Sequence, residues 1–157
     1  MTPTSTATIP SVTPTVPSSC STSGNSGFES TLIDLINQER ADQGLDPLSR
    51  KSALTAAARS HSEDMACNDF MSHTGSDGSR PADRVAAQGY SFSWIGENIY
   101  AGNGSYNSPN QAFNWWMDSA PHRANLLNTN YQSIGIGYIF SSDSQYGGYF
   151  TAVFTRP

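Results

Sequence analysis

A chain of 157 residues with a formal net charge of −5 has room for one domain and a tail. Its eight Lys and Arg are scattered singly, so the basic patches that nucleic acid or an anionic membrane surface requires are missing. No run approaches the ~20 apolar residues of a membrane span.

Residues 1–28 contain no Lys, Arg, Asp or Glu, half of them are Ser or Thr, and prolines are frequent. Such a segment buries too little apolar area to offset its ordering entropy. It reads as a disordered linker or stalk, of the kind that tethers exported domains. Met1 is followed by Thr-Pro-Thr-Ser-Thr, with no basic region or apolar run of a leader, so the Met reads as a start placed on a mature form.

Composition changes at Phe28-Glu29, and a domain is expected over 29–157. Leu32, Ile33, Leu35, Ile36 and Ala41 recur at helical spacing, ended by Gly44. A second helix is expected over 52–68, with Leu54, Ala57, Ala58, His61 and Met65 on one face. A short third covers 81–88, stopped by Gly89. Ser108-Pro109-Asn110-Gln111 opens a fourth, with Ser108 as cap and Pro109 at the first helical position. After Pro121 a brief helix holds residues 124–127.

The period then changes. Residues 133–140 and 148–154 alternate or run apolar around a hairpin loop, and 94–100 can supply a third strand. Helices first and an antiparallel hairpin last indicate an α+β fold. The Gly-x-Gly at Gly135 and Gly137 lies inside a strand and is not a nucleotide signature. Cys20 and Cys67 are either one bridge or two unrelated thiols. A bridge implies an oxidising compartment.

Three phrases carry the groups that bind metals or move protons near neutral pH: Ser72-His73-Thr74, Gly96-Glu97-Asn98 and Asp118-Ser119-Ala120-Pro121-His122-Arg123. They act together only if the fold unites them. His73 lies in a polar loop, free to face either a cleft or solvent. Glu97 stands alone in an apolar strand-like run, so it needs a cation, a metal or several N–H donors, whether for function or as a latch. Asp118 and His122 share a helical face only if Pro121 does not break the helix. Asp118 can instead cap the following helix. His61, on an apolar face, reads as a packed histidine. No serine lies in a Gly-x-Ser-x-Gly elbow, and Cys67 has no catalytic signature.

Taken in order, the phrases around His61-Ser62-Glu63, Ser72-His73-Thr74, Gly96-Glu97-Asn98-Ile99-Tyr100, Trp116 to Leu127 and Tyr149-Phe150-Thr151-Ala152-Val153-Phe154 resemble the CAP superfamily in its bacterial branch. That group joins cysteine-rich secretory proteins, venom antigens and plant pathogenesis-related class 1 proteins. The resemblance covers about residues 29–157. It implies a three-layer α-β-α sandwich with a small antiparallel sheet between helices. It also implies a central cleft lined by two histidines and two acids, which in some relatives bind a divalent metal.

Carried over by position, His73, Glu97 and Asp118 match three members of that set. Animal and plant relatives place the second histidine where this chain has Tyr149; bacterial members carry the Pro-His-Arg phrase, here with His122. His73 and His122 are thus the candidate ligands of Zn2+ or another divalent cation, with Glu97 or Asp118 and water completing the shell. The resemblance implies a secreted or cell-surface monomer that binds a small molecule, lipid, glycan or envelope component. The alternative is a metal-assisted hydrolase acting on peptide or cell-wall polymer.

Overall fold

The computed structural model describes residues 16–157. In chain order the elements are β1 (Ser23–Gly24), α1 (Ser26–Asp42), β2 (Ser49–Arg50), α2 (Ser52–Asn68), α3 (Pro81–Ala87), β3 (Trp94–Gly102), α4 (Pro109–Asp118), α5 (Ala120–Leu126), β4 (Ser133–Phe140) and β5 (Gly148–Arg156). The sheet runs β1-β4-β5-β3 with antiparallel pairing, and β2 adds a two-residue parallel pairing to the start of β4. β3 is therefore an edge strand, paired along all of its length with β5.

Alternation along β5 sorts the layers. Phe150, Ala152 and Phe154 enter the main core with Leu32, Ile33 and Ile36 of α1, Trp116 of α4 and Leu126 of α5. Tyr149, Thr151 and Val153 face α2, where Val153 clusters with Leu54, Ala57 and Ala58 and with Val85 of α3, and the Thr151 hydroxyl lies 2.8 Å from that of Ser62. The result is the three-layer α-β-α sandwich that the resemblance implies. Gly135 and Gly137 of β4 are fixed by this packing: a Cβ at either would overlap the α2 backbone, at Leu54-Thr55 and Ala58-Arg59 respectively.

The helix ends follow their local chemistry. Ser108 Oγ accepts from the Gln111 N–H at 3.2 Å and opens α4. α2 ends at Asp69, which takes the left-handed conformation with φ 56°. The predicted break near Pro121 falls at Ser119, whose extended backbone (φ −107°, ψ 115°) separates α4 from α5. α5 begins at Ala120, earlier than the expected 124, because Pro121 sits comfortably in a first helical turn. In α1 Ala41 is exposed and the buried stripe continues instead through Arg40, whose guanidinium donates to the carbonyls of Asp46, Leu126 and Asn128.

The boundary expected at residue 29 falls inside α1. Cys20 is bridged to Cys67, β1 pairs with β4, and Asn25 caps α1 through the Phe28 N–H. Residues 20–28 are part of the folded body, residues 16–19 lead into it through a turn in which the Cys20 N–H donates to the Pro17 carbonyl, and residues 1–15 of the expected linker lie outside the described residues. Closing a loop with sequence separation 47 contributes about 4 kcal/mol in the chain-entropy view. Among the described residues no helix is long and apolar enough to cross a membrane.

Candidate functional site

His73 stands on the segment between α2 and α3, and buried polar groups strap that segment down. The Asp64 carboxylate, on α2, accepts from the Ser76 N–H at 2.8 Å. Arg84, on α3, donates to the carbonyls of Ser79 at 2.9 Å and His73 at 3.0 Å. His61 places Nε2 2.8 Å from the Ser72 carbonyl. A carbonyl only accepts, so this nitrogen carries the proton. Nδ1 of His61 is left as a buried acceptor with no partner. Burial is the main reason that the His61 pKa lies below the ordinary imidazole value, and the nearby Arg84 cation adds to it against the pull of Glu97. The packed role predicted for His61 is the role it has.

Glu97 receives what its buried position demands. Oε1 lies 2.8 Å from His73 Nδ1, and Oε2 accepts from Arg84 Nη2 at 2.7 Å. The Glu97 and Arg84 side chains are 2% and 6% exposed, whereas His73 is 53% exposed. A carboxylate only accepts, so the pairing puts a His73 proton on Nδ1. Arg84 was not singled out from sequence. The available signal was the demand of a lone buried carboxylate for a cation.

The neighbouring residue serves the opposite face. On β3, Glu97 pairs with Val153 and Asn98 with Ala152, which point to the two different layers. Asn98 is fully buried, and its Nδ2 donates to the His122 carbonyl at 3.0 Å. Asn125 Nδ2 in turn donates to Asn98 Oδ1 at 2.8 Å. Two consecutive side chains of an edge strand thus anchor the two histidine-bearing segments, one from each side of the sheet. The His122 ring packs on Trp115 at 4.8 Å between centroids, and its Nδ1 lies 2.7 Å from Ser119 Oγ. Burial is the main reason that the His122 pKa lies below the ordinary imidazole value, and the neighbouring His73 imidazole adds to it.

Asp118 and Tyr149, the other two predicted residues, have settings of their own. Asp118 ends α4 and is exposed, and the break at Ser119 removes the shared helical face with His122. Tyr149 is fully buried among Met65, Ala66 and Ile99, and its hydroxyl has no partner. A cavity of about 370 Å³ opens beside His73 and Glu97, between Arg80, Pro81 and Ala82 at the start of α3 and Ile95 on β3.

The donor set falls short of the metal that the resemblance implies. Both Glu97 oxygens are engaged, and among the described residues no three His, Cys, Asp or Glu gather as a cation site. Zinc takes three or four protein ligands, so these residues do not fit it.

The family profile of the cysteine-rich secretory proteins, CAP, matches residues 33–154. The chain belongs to the CAP family. The uncharacterized protein YkwD of Bacillus subtilis is 36% identical over 116 residues, covering 74% of this chain and 44% of that protein. The uncharacterized membrane protein YlbC of the same organism is 33% identical over 109 residues, covering 69% and 31%. The chain thus spans less than half the length of these curated relatives. An extracellular protein containing an SCP domain from Bacillus anthracis superimposes with TM-score 0.74 at 29% identity, over 84% of this CAP chain and 41% of that one. An outer surface protein of Borrelia burgdorferi gives 0.77 at 22% identity, over 87% and 98%, and shares the fold.

Proposed function

We propose that this CAP domain is a secreted or envelope-associated binding module, and that its cleft between α3 and the edge of β3 takes a small ligand. The observation that carries the reading is the cavity itself. Its volume of about 370 Å³ lies within the range of small-molecule sites, which join apolar walls to a few fixed polar groups. Pro81, Ala82 and Ile95 form the apolar wall, and His73 and Arg80 form the polar rim. The strapped 71–80 segment and the saturated Glu97 make that rim preformed, so little ordering entropy is spent on binding. The ligand classes that fit are the head of a lipid, a glycan unit or a small envelope component.

An extracellular setting is supported by the Cys20–Cys67 bridge, which persists only where thiols are oxidised, and by a structural neighbour described as extracellular. Metal-assisted hydrolysis is not supported, because the donor set falls short of a zinc site.

The test is chemical-shift mapping on the 15N-labelled chain. Two probes are titrated separately: a short-chain phospholipid below its micelle concentration and a soluble disaccharide-peptide from cell wall. Shifts clustered at residues 80–82 and 95–97 for either probe support the cleft, and the probe that produces them names the class. Shifts confined to other surfaces, or none from either probe at millimolar concentration, refute the proposal.

A further inference from the structure

Ser119 is the N-cap residue of α5, yet its hydroxyl does not cap the helix. An N-cap serine ordinarily accepts from the second or third N–H of the helix, as Ser108 does for α4. The Ser119 hydroxyl is instead turned to the ring of His122, with Oγ and Nδ1 2.7 Å apart. We propose that Ser119 and His122 are a nucleophile–base pair, giving this domain an acyl-transfer activity on small carboxylic esters that is separate from ligand binding in the α3–β3 cleft.

A serine hydroxyl becomes nucleophilic when a neutral base within hydrogen-bond reach takes its proton, and when that base is held in place. Both conditions are met. A neutral His122 imidazole with its proton on Nε2 can accept from the Ser119 hydroxyl through Nδ1 across the observed 2.7 Å. Three contacts hold the base: Trp115 packs on its ring, Asn98 Nδ2 donates to its carbonyl, and Ser119 holds Nδ1. The corner carrying the pair is itself tied, because Arg123 Nη1 donates to the Met117 carbonyl at 2.9 Å and the Ser119 N–H bonds the Trp116 carbonyl at 3.3 Å. Ser119 and His122 are both half-buried, within reach of solvent. The Trp115 ring, 51% exposed although its neighbour Trp116 is fully buried, offers an apolar platform beside the base for the acyl group.

The step balances without a cofactor. Ser119 Oγ attacks the ester carbonyl carbon while its proton passes to His122 Nδ1. The tetrahedral intermediate collapses, the C–O bond to the leaving alcohol breaks, and the alcohol takes the proton from His122. Water then attacks the acyl-serine by the same route, its proton again passing through His122 to Ser119 as the carboxylic acid leaves.

A fluorophosphonate probe tests the pair directly, since it phosphonylates only activated serines. The full chain is incubated with probe at pH 7.5 and its intact mass is followed. Peptide mapping then locates any adduct. One adduct on Ser119 is expected, absent in Ser119→Ala and formed at least about 100-fold more slowly in His122→Gln, the lower range for loss of a general base. Hydrolysis of p-nitrophenyl acetate should exceed that of Ser119→Ala at equal concentration. The wild-type result decides independently of whether the variants fold: no adduct on Ser119, or an adduct elsewhere only, overturns the proposal. So does a folded His122→Gln that labels as fast as wild type.

Discussion

Replacing Glu97 by Gln keeps the shape of the side chain and removes its charge, so it isolates the electrostatics of the site. Oε2 faces Arg84 Nη2 at 2.7 Å and Oε1 faces His73 Nδ1 at 2.8 Å. A carboxylate accepts on both sides, whereas a carboxamide has one oxygen and one NH2 group. The carboxamide oxygen can serve only one of the two donors, and His73 accepts from the NH2 group only by moving its proton to Nε2. Arg84 keeps its charge because a guanidinium does not deprotonate in proteins. With its side chain 6% exposed it becomes a buried cation without its counterion. Removing one partner of such a pair costs about 3–5 kcal/mol, which for a chain of this length lowers the melting temperature by roughly 10 °C.

Urea unfolding at pH 7 followed by tryptophan fluorescence measures the loss, and Arg84→Met completes a double-mutant cycle. The double variant should recover much of the loss, because a neutral pair leaves no orphaned charge. A loss under about 1 kcal/mol in Glu97→Gln, or strict additivity in the cycle, would show that the buried pair does not hold the His73 segment as argued.

Stability should also fall on mild acidification. His61 and His122 both have folded pKa values below the ordinary imidazole value of about 6.5. Below that pH the unfolded chain binds more protons than the folded one, so the stabilisation is full above about pH 6.5 and declines toward pH 5. Urea midpoints that stay flat or rise over that interval contradict it, and His61→Asn should flatten the profile in part. Gly137→Ala should cost at least about 3 kcal/mol, at the upper end for an overpacked core, because its Cβ meets the α2 backbone and not a flexible side-chain tip. Thermal melting near that of the parent would refute the close contact between α2 and β4. Cys20→Ser with Cys67→Ser should lose about 4 kcal/mol by denaturant titration, and a negligible loss would place residues 20–28 outside the cooperative unit.

The helices were legible because their signals are local. Periodicity, the Ser108-Pro109 start and the stop signals at Gly44 and Gly89 settle α1 to α4 to within a few residues. β1 and β2 were not legible, since each has two residues and exists only through pairing with β4. The tail was misjudged for a related reason. Ser, Thr and Gly at residues 18–27 look like linker, and what orders them is a covalent bond to α2 and a pairing with β4. At the site, the need of Glu97 for a partner could be read from its apolar surroundings, but the partner could not. Arg84 lies on a different element, and its identity depends on how α3 packs against β3.

Strand parity decides which side of the sheet each anchor of the site serves. Successive residues of a strand face opposite layers, so an edge strand that aims Glu97 at α2 and α3 must aim Asn98 at α4 and α5. His73 is then gripped through its ring by Glu97, while His122 is gripped through its backbone carbonyl by Asn98. Each imidazole takes its Nδ1 partner from its own side: a carboxylate for His73 and a hydroxyl for His122. Matching residues to a set of ligands by order along the chain cannot see this, because order does not record which face a side chain leaves. The same parity separates the two chemistries assigned here. The α2–α3 side has a saturated acid beside a cavity suited to binding, and the α4–α5 side has a base with a hydroxyl at hydrogen-bond distance.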